Sequence, residues 1–309
     1  MDYLERINSF DEKSLLSLDE VVIWALELFE KWDLSSLDIS EFKKPLIAGS
    51  GNAIVTAKII FSWIDALFCD ETTFDDFINK DIDWLIIVSA SWEKHATIFA
   101  KKAISKWVKT KLLTCNSKSS AWNIVWKHNT TITKKNREPY TYNTSTYMWW
   151  VFALTNENPA YIKTFIQEKI DPILKNVDLS KYNSYLLVTP NKFSSVNQLL
   201  IVKFIELFGR KISRDVCSYE HLKHAITVVP HDKELTITFW EWELFMKPTN
   251  HINIPIPKDC NIWWMMSISY YIIWKIQNAY PQYFKDNISK YIEYVNKTEF
   301  WKWLSVIVE

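Results

Sequence analysis

Short apolar runs alternate with longer stretches of helical periodicity along most of the chain. Such runs predict buried strands, and apolar residues at helical spacing predict the helices between them. The predicted strands are Pro45–Ala48, Leu85–Val88, Lys111–Thr114, Ser184–Val188, Ile226–Val229 and Leu235–Phe239. This strand–helix alternation predicts an α/β fold whose parallel sheets are flanked by helices.

The same pattern divides the chain into segments. We expect an N-terminal helical cap over residues 1–40, a first α/β unit over 41–155, a connecting helix over 156–182, and a second α/β unit over 183–309 that ends in a helical tail. Gly209 follows the predicted helix Asn197–Phe208, at the position where glycine commonly ends a helix. Further helices are expected at 54–66, 93–106, 144–155 and 264–277, with a short strand and turn over 69–77. Two alternatives stay open after the third strand: a helix over 119–126, or a strand within 124–131.

Polar loops follow the first three predicted strands. They are Gly49–Ala53, Ser89–Lys94 and Thr114–Asn116. A loop between a strand and a helix directs backbone N–H groups at one point beside the helix N-terminus, which favours an anion such as phosphate. Trp92 is out of place there, because close backbone approach to a ligand usually requires glycine.

Tryptophan and glycine are present in unusual numbers. The chain has 17 Trp and only 3 Gly, whereas an average chain of this length has roughly 22 Gly. Trp107 ends a predicted helix where glycine is usual, and doublets occur at Trp149–Trp150 and Trp263–Trp264. Some bacterial lineages read UGA as glycine, so our hypothesis is that most of these tryptophans are mistranslated glycines. The alternative is a protein that is truly rich in tryptophan.

Charge and cysteine usage restrict the possible partners. The 36 basic and 36 acidic side chains balance, which argues against nucleic acid and against a polybasic membrane contact. Four scattered cysteines without a CxxC pair, and an N-terminus unlike a signal peptide, predict a reduced cytoplasmic protein. The apolar stretch Ile262–Trp274 is too short to span a bilayer.

Three loops in this order resemble the sugar isomerase (SIS) domain family. Its phosphate loop reads S-x-S-G-[EN]-T, which Ser89–Glu93 matches if Trp92 is glycine, with Lys94 in place of threonine. Its earlier loop G-x-G-x-S resembles Gly49–Ala53, with alanine at the serine position, and a third T-[NS] element resembles Thr114–Asn116. The resemblance implies two flavodoxin-like subdomains and a sugar phosphate held by several polar side chains. These are Ser89, Ser91 and Thr114, with Ser50 and Asn52 as substitutes for the missing serine and Lys94 as an added charge.

The second half resembles the isomerase part of glucosamine-6-phosphate synthase. A helix there reads L-K-x-x-E, which Lys203–Glu206 matches, and a later E-L-K-H-G segment resembles Glu220–His224 with one residue inserted. By helical spacing alone, Lys203 and Glu206 share one helix face. Since their neighbours in the helix are apolar, the pair either lies on a narrow exposed polar stripe or is buried in a desolvated site. In a desolvated site, the pKa of the carboxyl group would be raised.

The resemblance implies an aldose–ketose isomerase that uses no cofactor. We also expect no metal site, because Glu220, His221 and His224 do not form an HExxH motif and have no clear third ligand nearby. Glu206 is then the base that moves a proton between two carbons through an enediol, and Lys203 stabilises the oxyanion. A histidine opens the sugar ring, either His224 or His221, and Glu220 orients it or binds substrate. A bifunctional phosphoglucose/phosphomannose isomerase is one type within this class.

Other functions stay open at this point. A non-catalytic SIS module that senses a phosphosugar is favoured slightly by Ala53 and Lys94, which depart from the family loops. A deaminating isomerase for an amino sugar phosphate is a third possibility.

The hydroxyl-rich stretch Tyr140–Thr146 is either a helix N-cap or part of a sugar pocket. The resemblance also implies a homodimer.

Overall fold

The computed structural model describes residues 3–31, 37–90, 95–116, 124–125, 129–155, 157–224, 229, 231–239, 250–298 and 304–308. The chain forms two compact units, each with its own parallel sheet. The first-sheet unit comprises residues 34–135 and 145–156, and the second-sheet unit comprises 1–33, 136–144 and 157–309.

The first half of the chain follows the predicted alternation. Its elements are α1 (Tyr3–Ser9), α2 (Leu18–Lys31), β1 (Leu46–Gly49), α3 (Asn52–Ile60), β2 (Leu67–Cys69), α4 (Phe74–Phe77), β3 (Leu85–Val88), α5 (His95–Ser105), β4 (Thr110–Thr114), β5 (Thr130–Ile132), β6 (Glu138–Pro139) and α6 (Thr144–Thr155). Strands β1 to β5 form one parallel sheet in the order β2-β1-β3-β4-β5. The central strands β1 and β3 are buried along their whole length, as their apolar composition predicts for parallel strands covered on both faces.

The second half also forms a parallel sheet. Its elements are α7 (Pro159–Phe165), α8 (Asp171–Lys175), β7 (Ser184–Thr189), α9 (Asn197–Phe208), β8 (Ser213–Ser218), α10 (Tyr219–His224), β9 (Glu234–Phe239), β10 (His251–Ile254), α11 (Ile262–Asn278), α12 (Tyr283–Asn296) and β11 (Ile307–Val308). The sheet order is β10-β9-β7-β8, and β11 pairs antiparallel with β6. The α/β class with two parallel-sheet units is therefore confirmed.

Several predicted boundaries were wrong. Helix α3 ends at Ile60 and not near residue 66, because Ser62 Oγ donates to Ile59 O (2.9 Å) and a turn follows. The sequence pattern missed β8, since this strand lies at the sheet edge and is buried only in part. The predicted helix 119–126 and the strand 226–229 lie mostly outside the described residues.

Proline 172 affects the connecting helical segment without ending it. Helix α7 continues through a π-helical turn at Ile166–Ile170 into α8. Pro172 has no backbone N–H to donate, and the preceding Asp171 N–H donates to Ile166 O, five residues back. The extra residue in this turn accommodates the proline, as is typical of π-bulges.

Trp107 occupies a glycine position at the end of α5. Its φ is 59° and the residue is 94% exposed. Val108 N–H donates to Ala103 O and Trp107 N–H donates to Ile104 O, both at 3.0 Å. These two hydrogen bonds define a Schellman motif, in which the left-handed residue is usually glycine. Gly209 has a similar φ of 57° at the end of α9.

Candidate functional site

The two sheets share one strand order. In each sheet, the strand that comes first in the sequence lies between the second and the third: β1 lies between β2 and β3, and β7 lies between β8 and β9. The connections that leave the first strand therefore run to opposite sides of it, which makes this position the switch point of the topology. Ligands of open α/β sheets bind at the carboxyl ends of the strands at this switch point. In the first-sheet unit, the switch point lies between the ends of β1 and β3.

Three predicted phosphate ligands lie in one row at that edge. The register aligns Gly49 with Val88 and Val88 with Leu113. The next residue along each strand is Ser50, Ser89 or Thr114, respectively. Neighbouring strands are about 4.8 Å apart, so the structure brings these three residues to the same level on adjacent strands.

Glycine is required at the end of β1, one residue before Ser50. A Cβ on Gly49 would lie 2.8 Å from Val88 O and 3.3 Å from Ile54 N. Both neighbours are backbone atoms that cannot move away cheaply. Gly49 therefore allows β1, β3 and the start of α3 to approach closely beneath the loop.

The polar groups of the row already have local partners. Ser50 Oγ donates to Glu71 Oε2 (2.7 Å), and Ser89 N–H donates to Leu113 O (3.1 Å). Thr114 is buried, and its Oγ1 accepts from Asn116 N–H (3.0 Å). The Glu71 carboxylate places a negative charge beside Ser50, which opposes a phosphate dianion at that position.

The remaining predicted phosphate ligands are placed only in part. Asn52 is the first residue of α3 and therefore stands at a helix N-terminus. Ser91 and Lys94 lie outside the described residues, as does Trp92. Their positions relative to Ser89 stay a prediction.

Lys203 and Glu206 form an ion pair on α9. Lys203 Nζ lies 2.7 Å from Glu206 Oε2, and their side chains are 1% and 17% exposed. The sequence allowed either an exposed polar stripe or a desolvated site for this pair, and the structure places Lys203 in a desolvated site. A buried charge is tolerated only with a partner and further hydrogen bonds.

Lys203 finds those further hydrogen bonds in the turn before α6. Its Nζ donates to Tyr142 O (3.0 Å) and to Thr141 O (3.4 Å). Tyr142 is itself buried and contacts Phe284 with ring centroids 5.0 Å apart. The lysine therefore joins α9 to the turn and fixes the position of Glu206 beside it.

A cavity of about 560 Å³ lies beside Glu206. Its walls are the C-terminal turn of α9, the residues that follow α9, the first half of α12, and Thr141. This volume falls in the range of small-molecule sites. The described lining residues are Thr141, Ile205, Glu206, Leu207, Phe208, Gly209, Arg210, Lys211, Tyr283, Phe284, Asn287, Ile288 and Tyr291. The sequence pattern did not single out those from α12, because nothing in their spacing differs from an ordinary amphipathic helix.

The predicted histidine segment forms α10. His224 is 79% exposed, and its Nε2 lies 3.4 Å from Glu220 Oε1. Lys223 pairs with the same carboxylate, and this hydrogen bond is the main cause that lowers the pKa of Glu220. His221 is also exposed, and its backbone N–H donates to Ser218 Oγ (3.2 Å). The structure thus places Glu220 where it contacts His224.

Solved structures share this architecture. Glucosamine-6-phosphate deaminase from Thermotoga maritima aligns with a TM-score of 0.56 at 11% identity, over 89% of this chain and 93% of that one. The C-terminal domain of glucosamine-fructose-6-phosphate aminotransferase from Francisella tularensis gives 0.54 at 12% identity, over 90% and 95%. Tagatose-6-phosphate ketose/aldose isomerase from Escherichia coli gives 0.53 at 13% identity, over 85% and 86%. The chain has the sugar isomerase (SIS) fold.

The SIS fold rests on likeness of structure alone. No family model and no curated protein matches the sequence. Identities of 11% to 13% establish the fold but not the reaction. Within the described part of the chain, no helix is long and apolar enough to cross a bilayer, and no group of three or more His, Cys, Asp or Glu is placed to hold a metal ion.

Proposed function

We propose that the protein is a phosphosugar aldose–ketose isomerase that works through an enediol, on a substrate of the glucose 6-phosphate or mannose 6-phosphate type. The observation that carries this proposal is the Lys203–Glu206 ion pair beside a cavity. An isomerase needs one base that removes a proton from a carbon next to a carbonyl and returns it to the neighbouring carbon. A positioned carboxylate in a partly desolvated site is suited to that task.

Each polar group has one role in this proposal. Glu206 moves the proton between C1 and C2, and Lys203 stabilises the oxyanion that develops on the substrate. His224 opens the sugar ring by moving protons at the ring and anomeric oxygens, with His221 as the alternative. Glu220 orients His224, a role that their 3.4 Å contact supports. No cofactor is needed for these steps.

The first-sheet unit supplies phosphate binding in this proposal. Ser89, Ser91 and Thr114 hold the phosphate, Ser50 and Asn52 replace the missing serine, and Lys94 adds a positive charge. The row of Ser50, Ser89 and Thr114 along the strand ends supports this assignment.

A non-catalytic phosphosugar sensor is the second candidate. The contact between Ser50 and Glu71 favours it, because a carboxylate beside the loop weakens the binding of a phosphate dianion. A deaminating isomerase is a third candidate, and one protein with a similar fold is named a glucosamine-6-phosphate deaminase.

A substrate panel separates these functions. The protein is incubated with the 6-phosphates of glucose, fructose, mannose, tagatose and glucosamine, and conversion and ammonia release are followed by NMR. Interconversion of an aldose and a ketose phosphate supports the isomerase, and ammonia release supports the deaminase. Stabilisation in a thermal-shift assay without conversion supports the sensor. No conversion and no stabilisation by any of the five contradicts all three.

We also propose that the protein is a cytoplasmic homodimer. In this arrangement each subunit completes the other's active site, and the high exposure of the His224 side chain supports a histidine that acts outside its own subunit. Light scattering coupled to gel filtration tests the dimer. A monomer that retains isomerase activity contradicts it.

We further propose that most tryptophans of this sequence are glycines in the native protein, encoded by UGA. The left-handed, exposed Trp107 supports this proposal, since an indole gains nothing there and a Cβ is strained. The indole Nε1 of Trp149 is buried without a hydrogen-bond partner in the described residues, which is costly for a native tryptophan. The coding DNA decides: UGA at most of these positions supports the proposal, and UGG contradicts it.

A further inference from the structure

The turn that contacts Lys203 is strained at two positions. Thr141 and Asn143 have φ values of 71° and 41°, in the left-handed region that residues with a Cβ adopt only at a cost in free energy. Between them, Tyr142 N–H donates to Pro139 O (3.2 Å). Strained backbone conformations persist only where the surrounding structure over-determines them. The turn therefore depends on groups that hold it from outside.

Two groups hold the turn from outside. Lys203 Nζ donates to the carbonyl oxygens of Thr141 (3.4 Å) and Tyr142 (3.0 Å). Tyr140 N–H donates to Val306 O (2.7 Å), next to the antiparallel pair of β6 and β11. The backbone groups that contact Lys203 and the one that contacts Val306 thus belong to three consecutive residues. A shift of β11 is therefore transmitted directly to the carbonyls that hold the lysine.

Strand β11 has an external support of its own. It pairs with β6 over only two residues, and such a short two-stranded pair is not stable alone. Asn296, the last residue of α12, supplies the support. Its Nδ2 donates to Leu304 O (2.8 Å), and its Oδ1 accepts from Leu304 N–H (2.9 Å). One side-chain amide thus satisfies both backbone groups of Leu304, as a neighbouring strand would.

We infer that Asn296 is a positioning residue for the Lys203–Glu206 pair. A path of hydrogen bonds and backbone runs from its amide through Leu304 and β11 to Tyr140, and the next two residues present their carbonyls to Lys203. Loss of the Asn296 amide releases β11, and the strained turn relaxes. The buried ammonium then loses acceptors at fixed positions, and Glu206 loses a fixed counter-ion. The inference rests on the proposed function in that it makes this pair catalytic.

Asn296 can be replaced without a change to the core or to the cavity. Its side chain is exposed, and it is not among the described residues that line the cavity beside Glu206. The variant Asn296→Ala removes both hydrogen bonds to Leu304. Asn176→Ala is the matched control, because Asn176 is also exposed at a helix end and its Nδ2 donates to a backbone carbonyl, Pro172 O (3.0 Å).

Hydrogen exchange measured by NMR on the full chain follows both ends of this path. The Tyr140 amide reports the contact with β11, and the ammonium of ¹⁵N-labelled Lys203 reports the turn. In Asn296→Ala, the Tyr140 amide should exchange about tenfold faster and the Lys203 ammonium about fivefold faster. Amides of the central strand β7 are the internal reference for global stability and should not change. Asn176→Ala should leave all of these rates unchanged.

Each other exchange pattern overturns the inference. Faster exchange at Tyr140 without a change at Lys203 shows that β11 does not position the lysine. An unchanged Tyr140 amide shows that Asn296 does not hold β11. Equal acceleration of the β7 amides shows a loss of global stability. Asn296→Asp keeps the acceptor for Leu304 N–H and loses the donor, so it should shift the same two rates by a smaller factor; native rates in Asn296→Asp would contradict the role of the donor.

Kinetics test whether this positioning serves catalysis. In Asn296→Ala, kcat for fructose 6-phosphate should fall about ten- to hundredfold, whereas KM should stay unchanged because Asn296 does not line the cavity. Native kcat despite faster exchange at Lys203 overturns the positioning role. The expected exchange pattern in a chain that converts no sugar phosphate overturns the proposed isomerase, and the structural link from Asn296 to Lys203 then stands without it.

Discussion

The ammonium of Lys203 lies 2.7 Å from the carboxylate of Glu206, one helical turn further along α9. The lysine is fully buried, whereas the carboxylate keeps some contact with solvent on its cavity side. Two backbone carbonyls of the turn before α6 complete the environment of the ammonium. The carboxylate is thus the end of a fixed polar network that opens into a cavity.

Replacement of Lys203 by methionine should destabilise the protein. The substitution leaves Glu206 without its counter-ion and removes the donor to Thr141 O and Tyr142 O. We expect a loss of about 3 kcal/mol in the free energy of unfolding, measured by urea denaturation at pH 7. Lys223→Met is the matched control, because Lys223 forms an exposed pair with Glu220 at the same spacing, and it should cost less than about 1 kcal/mol. Equal losses in the two variants would contradict this account of Lys203.

Replacement of Glu206 by glutamine should separate catalysis from binding. The amide has nearly the shape of the carboxylate but cannot accept the proton, so kcat should fall by about 10² to 10⁴. Thermal stabilisation by fructose 6-phosphate should persist, since binding does not need the base. A variant with native kcat would remove Glu206 from the mechanism.

Replacement of Trp107 by glycine should stabilise the protein. The left-handed conformation at φ 59° costs a residue with a Cβ about 1 kcal/mol, and the exposed indole contributes little packing. We expect the melting temperature to rise by a few degrees. Gly209→Ala is the reverse control at φ 57° and should lower it. A decrease with Trp107→Gly would show that the indole is a native contact.

Acid should weaken the turn that follows β2. Asp70 accepts hydrogen bonds from the hydroxyls of Thr72 and Thr73, which lower its pKa from 3.8 to about 2. A lowered pKa in the folded state means that the stabilisation is present above pH 3.8 and is lost as the pH falls through 2. The stability difference between the native chain and Asp70→Asn should therefore shrink between pH 5 and pH 2. Asp76→Asn, at an exposed position of α4, is the control.

The sequence predicted those parts of the fold that have strong local patterns. Strand β3 and helices α6 and α9 have the predicted limits, because buried parallel strands are continuously apolar and Gly209 marks a helix end. Strand β8 was missed because an edge strand exposes polar residues such as Arg214 and Asp215. The β6–β11 pair was missed because its two short strands are distant in the chain.

In the candidate site too, the sequence predicted the residues that have a local pattern and missed those that depend on distant contacts. Lys203 and Glu206 were found because their spacing and apolar surroundings are local features. Thr141, Asn287 and the cavity depend on contacts between residues that are far apart in sequence, so no spacing rule reaches them. The hydroxyl-rich stretch Tyr140–Thr146 was noticed, but only the positive φ and unpartnered hydroxyl of Thr141 distinguish it from a helix cap.

Solvent exchange at carbon 2 tests the central claim most directly. The protein is incubated with glucose 6-phosphate or mannose 6-phosphate in D₂O, and deuterium at C2 is followed by NMR. Proton transfer by Glu206 through an enediol predicts that the native chain incorporates deuterium at C2 and that Glu206→Gln does not. No incorporation by the native chain, at concentrations where either sugar phosphate binds, would contradict an isomerase for these substrates.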